Sequence, residues 1–96
     1  MKKSNTQSLA DVLKDVLQEQ NLKDKFNEQR IIDSWEPLLG QGVAQFTTKL
    51  YIKNNVLNVH ISSSVLKAEL MMSREKLVNA LNERVGERVI HDIMFR

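Results

Sequence analysis

The 96-residue sequence has no cysteine, which excludes a disulfide framework, a thiolate zinc site, an iron–sulfur cluster and a thiol nucleophile. With one proline and three glycines it also lacks any linker rich in Pro, Gly or Ser, and no repeat or low-complexity tract divides it. No apolar run approaches the roughly 20 residues of a membrane span. The opening Met1-Lys2-Lys3-Ser4-Asn5-Thr6-Gln7-Ser8 turns polar where a secretory signal turns apolar. A cytoplasmic protein with no membrane contact is therefore expected. What is present is ordinary globular composition, 42% apolar and 27% charged. At this length that allows one core and no deep, multi-walled substrate cleft besides. A flexible N-terminus over residues 1–7 and a single domain over residues 8–96 are expected.

Net charge is low, +2, but unevenly placed. Residues 1–42 hold six Lys/Arg against seven Asp/Glu, and residues 43–96 hold eight against five. The second half is the basic one, which permits a modest, salt-dependent affinity for a polyanion without demanding it.

Leu9, Val12, Leu13, Val16 and Leu17 follow the spacing of an amphipathic helix from about Ser8 to Gln20, with Ser8 and Asp11 as a variant capping box. A second helix is expected from about Asp24, with Phe26, Ile31, Ile32 and Trp35 near one stripe, ending towards Pro37. Gly40 and Gly42 break the chain. From Ala44 to Lys53 the residues alternate, with Phe46, Thr48, Leu50 and Ile52 on one side and Gln45, Thr47, Lys49, Tyr51 and Lys53 on the other. Asn54-Asn55 tolerates positive φ and turns the chain into Leu57, Val59 and Ile61, making a β-hairpin. After the serines at 62–64, which read as helix-start residues, Leu66, Leu70, Leu77 and Leu81 mark a long helix, helped by Met71, Val78 and Val85. Ser73 is a candidate break within it, and Gly86 its end. Val89 to Phe95 closes the chain as a strand. The order is α-α-β-β-α-β: a two-layer α+β domain whose right-handed crossover lays the last strand parallel to the second, with helices on one face of three strands.

Catalytic and metal chemistry find little support. His60 and His91 lie on different strands without a closely spaced ligand set, and read respectively as a solvated strand residue and part of the sheet packing. Glu83 with Glu87 and Asp11 with Asp15 sit on polar faces. Gly40-Gln41-Gly42 has too few glycines and leads into a strand, so no phosphate-cradling loop is expected. No enzyme, metal or cofactor is predicted. The wet face of the hairpin is more informative, because Lys49, Tyr51, Lys53 and His60 combine phosphate partners with a flat ring for base stacking. Lys67 and Arg74, with Lys76, Arg84 and Arg88, form a second, helical set of cations, interleaved with Glu69, Glu75 and Glu83.

Several segments in order carry a family pattern. They are Ile31-Ile32-Asp33-Ser34-Trp35-Glu36-Pro37-Leu38-Leu39-Gly40, then Val56-Leu57-Asn58-Val59-His60-Ile61-Ser62-Ser63-Ser64-Val65-Leu66-Lys67-Ala68-Glu69-Leu70, then Leu81-Asn82, Gly86 and Val89 to Arg96. This pattern resembles the DciA family, bacterial proteins that associate with and help load the replicative helicase. The resemblance implies a core similar to a KH (K homology) fold, nucleic-acid contact and a helicase partner. In the family a flexible extension commonly joins that partnership; this sequence runs out at its last strand, so the core alone is expected to bind. The Gly-x-x-Gly loop with which KH domains grip a backbone is missing, so base-specific RNA reading is not expected. Trp35 and Gly40 read as structural.

The expectation is a non-enzymatic nucleic-acid-binding module contacting phosphates through Lys49, Tyr51, Lys53, Lys67, Arg74 and Lys76. It would take single- or double-stranded DNA in preference to RNA, beside a replicative helicase. The alternative is a protein-interaction or oligomerisation module, a homodimer included, with no nucleic-acid contact of its own.

Overall fold

The computed structural model describes residues 9–96, without the side chains of residues 14–17. The expected flexible segment 1–7 and Ser8 of the expected capping box lie outside the described residues, as do the side chains of Val16 and Leu17. Helix α1 spans Leu9–Leu39 and α2 is a single turn over Gln41–Ala44. Strands β1 (Thr47–Lys53) and β2 (Val56–Ile61) follow, then α3 (Ser64–Met72), α4 (Arg74–Val85) and β3 (Asp92–Phe95). With α3 and α4 taken as one helix broken at Ser73, the order α-α-β-β-α-β stands, with helices followed by a three-stranded sheet.

The first two helices are divided differently from the expectation. Asn21-Leu22-Lys23 contains neither glycine nor proline, so nothing interrupts the backbone ladder and α1 runs unbroken for 31 residues. Pro37 falls in the last turn, where its fixed φ is already helical and only one ladder bond is forfeited. Termination comes at Gly40, whose φ of 86° only glycine adopts freely. Its N–H donates to the Glu36 carbonyl at 2.7 Å, and its own carbonyl accepts from Ala44 at 3.0 Å to start α2.

The two halves of α1 live in different environments. Asn27, Ile31, Ser34 and Trp35 are buried against the body, whereas every described side chain from Leu9 to Phe26 is exposed. The molecule is accordingly elongated, 64 Å by 21 Å by 20 Å. Leu9, Val12 and Leu13 of the expected stripe are exposed, and no described residue covers them. Phe26 departs from its expected place: it sits five residues before Ile31, about 140° around the helix, and is 64% exposed with the Arg30 guanidinium 5.9 Å above its ring.

The hairpin turn has φ of 53° at Asn54 and 62° at Asn55, the double positive φ of a two-residue turn that matches strand twist. β1 and β2 pair antiparallel, with Leu50 opposite Val59 and Ile52 opposite Leu57, and β2 pairs parallel with β3. A register shift between Thr47 and Lys49 interrupts the expected alternation. Thr47 consequently leaves the wet face: its hydroxyl accepts from Trp35 Nε1 at 3.1 Å and donates to the Val43 carbonyl at 3.0 Å.

The core lies between the sheet and the helices. Ile31, Trp35, Leu57, Val59, Leu81, Ile90 and Ile93 are all but inaccessible, each contributing about 1.5–3 kcal/mol by burial. Met71, expected to help this face, is 53% exposed. Ser63 caps α3, its hydroxyl accepting from the Leu66 N–H at 3.2 Å, and Gly86 ends α4 with φ of 91°. The last strand begins at Asp92 rather than Val89. Residues 89–90 are instead a buried loop held by Asn82, whose Oδ1 accepts from Val89 and Ile90 N–H while its Nδ2 donates to the Ile90 carbonyl. Asn55 adds a bond from Nδ2 to the Val89 carbonyl, and accepts from the His91 N–H.

Candidate nucleic-acid interface

Strand alternation places each side chain. Leu50, Ile52, Leu57, Val59, Ile61, Ile93 and Phe95 belong to the core or pack against it. Lys49, Tyr51 and Lys53 of β1 therefore point to the opposite, helix-free face, with their partners His60, Asn58 and Val56 of β2 beside them. Met94, opposite Asn58, continues that face onto β3. Arg96 joins it as well: the Nε of Arg96 donates to Asn58 Oδ1 at 3.2 Å, while its backbone N–H donates to Val59.

These side chains form a connected layer. The Lys49 ammonium lies 5.1 Å from the Tyr51 ring centroid, and the Tyr51 ring 5.9 Å from the imidazole of His60, tilted by 39°. Asn58 is only 5% exposed beneath its neighbours. Lys49, Lys53 and Arg96 thus share a face with Asp92, opposite Val56, and the Asp92 carboxylate is bound by Arg74 Nε at 3.2 Å. Clustered cations beside flat rings make the local potential more positive than the formal charge of the whole chain suggests.

Both histidines differ from expectation. His60 is half-buried, and its Nε2 is enclosed without a hydrogen-bond partner, with the tilted Tyr51 ring as neighbour. His91 is exposed, since the strand starts one residue later.

The six candidate contacts do not form one cluster. Lys49, Tyr51 and Lys53 occupy the open sheet face. Lys67 lies on α3, and Arg74 and Lys76 on α4, in the helical layer that covers the other side of the sheet. Arg74 is engaged by Asp92, and Lys76 is exposed. The members that sequence reasoning missed, Asn58 and Arg96, were signalled by alternation: Met94 points outward, so Arg96, two residues on, does too.

A polar cleft of about 650 Å3 lies where α1 leaves the body, beside the hairpin turn and residues 87–89. Its lining balances Lys23, Lys25 and Arg88 against Asp24, Glu28 and Glu87. Glu87 there accepts from Lys23 Nζ at 3.3 Å and, through a short bond, from Asn27 Nδ2. This neutral cleft does not favour an anion. Among the described residues no three His, Asp or Glu side chains gather as a metal-ligand set, and no helix is long and apolar enough to cross a membrane.

The architecture is thus a three-stranded α+β sheet roofed by helices, with cations and rings on its bare side. Residues 8–95 match the model of one protein family, described as Dna[CI] antecedent, DciA. The chain belongs to the DciA family, a family of replicative-helicase loaders rather than a known class of enzyme. No curated protein and no solved structure matches it. Membership implies a helicase-loader-like role in DNA replication, with the replicative helicase as partner.

Proposed function

We propose that the open face of the sheet holds a single strand of DNA, chiefly through its phosphates, in support of the helicase-loader-like role. The observation that carries this reading is the grouping of Lys49, Lys53 and Arg96 on one face with Tyr51 and His60, where the Asp92 carboxylate is already engaged by Arg74. Ammonium and guanidinium groups bind phosphates without regard to sequence, and the half-buried Tyr51 offers a π-surface for a base. Lys67 and Lys76, on the helical layer, are secondary contacts separate from this face.

The test is the affinity for a fluorescent single strand across a salt series. Affinity should fall steeply with salt, and the Lys49→Ala/Lys53→Ala variant should flatten the slope by about 1.4 on a log–log plot, two phosphate contacts at roughly 0.7 each. Absence of binding at low salt sinks the reading.

A second reading, a protein-docking module, draws on the uncovered apolar side chains of α1, Leu9 at 74%, Leu13 at 53% and Leu22 at 68% exposure. Recovery of a protein partner after nuclease treatment favours it, and sedimentation shows whether that partner is a second copy.

A further inference from the structure

Buried nitrogens without partners are rare and ask for a reason. His60 Nε2 is the single described side-chain atom in that condition. The imidazole lies on the open sheet face with the tilted Tyr51 ring 5.9 Å away, centroid to centroid, and the Lys49 ammonium is 5.1 Å from the centroid of that same ring. Phenylalanine at this position would keep the ring contact and remove the unsatisfied atom, so packing alone does not call for an imidazole. A ring nitrogen beside a stacking tyrosine is the equipment of a base-edge contact: the ring supplies the plane and the nitrogen supplies a donor or acceptor in that plane.

We infer that His60 contacts the base of the bound strand: a nucleobase displaces the Tyr51 ring from the imidazole, stacks against that ring, and hydrogen-bonds through its edge to Nε2. The inference rests on the proposed strand-binding reading and adds to it a preference among bases that phosphate contacts do not give. No covalent step is involved. The movement is confined to Tyr51, an exposed-face side chain on the edge strand β1, so the backbone stays in place.

The experiment measures affinities of the full chain for thymine-, cytosine- and adenine-only strands of equal length, before and after His60→Phe. The wild type should separate the three by roughly two- to tenfold, the range of one net hydrogen bond. His60→Phe should erase that spread, leave the salt slope unchanged and raise the melting temperature. A spread that survives His60→Phe overturns the inference, as does a wild type that treats all bases alike. In both cases an intact salt slope leaves the phosphate reading standing, whereas no binding of any strand at low salt removes both. A measurement that needs no variant completes the test. The ¹⁵Nε2 resonance of His60 should shift on adding the preferred strand and stay put with an abasic strand of equal phosphate count; equal shifts with both overturn the inference.

Discussion

The two faces of the sheet are made by the same three strands, yet they do opposite work. On one, Leu57, Val59 and Ile93 are fully buried under Trp35 and Leu81. On the other, Lys49, Tyr51 and Lys53 stand in the positions between, and Arg96 crosses Asn58. Because neighbouring residues point to opposite sides, the core positions and the proposed binding positions are interleaved in sequence and separated in space. Substitutions on the two faces should therefore have effects that hardly overlap.

The largest effect belongs to the buried side. Trp35→Ala removes the biggest core side chain, its bond to Thr47 and its 6.4 Å ring contact with Phe95. It should cost about 3–5 kcal/mol by denaturant melting, and a loss below about 1 kcal/mol would break the assignment of the core. Asn82→Ala comes next. It strands the Val89 and Ile90 N–H groups and the Ile90 carbonyl in a buried loop, for about 2–3 kcal/mol; an unchanged midpoint would mean that the loop is held otherwise.

The open face should respond the other way round. Lys49→Ala/Lys53→Ala should move stability by less than about 0.5 kcal/mol while lowering the salt dependence of strand binding, and a large loss of stability would erase the contrast between the faces. The smallest effect is expected at the rim. Arg74 and Asp92 are both about half exposed, at 53% and 47%, so Arg74→Ala should cost no more than about 0.5 kcal/mol. Its influence on strand binding, compared with that of Lys53→Ala, shows whether the interface reaches beyond the sheet.

Local chemistry made much of this readable from sequence. Asn54-Asn55 has few alternatives to a two-residue turn, Ser63 caps α3, Gly86 supplies the left-handed residue after α4, and the parallel last strand follows from the helical crossover between β2 and β3. What sequence could not show depended on long-range partners. The shift after Thr47 accompanies the bond of its hydroxyl to the Trp35 indole, 12 residues earlier in the chain. The buried loop at 89–90 exists because Asn82 satisfies it. Continuity of α1 was hidden because the apolar spacing of Leu9 to Leu17 lapses after Leu17, although Asn21-Leu22-Lys23 holds no helix breaker. Of the site, Lys49, Tyr51 and Lys53 were legible from alternation alone; their separation from Lys67 and Lys76 depended on which side the helices cover.

The unequal halves of α1 have a kinetic corollary. Beyond the clasp of Glu87 on Lys23 and Asn27 every described side chain of the rod is exposed, so its turns open one after another from Leu9 inward. Deuterium should sweep along α1 as a front and stall near Asn27, where further progress requires the whole core to come apart.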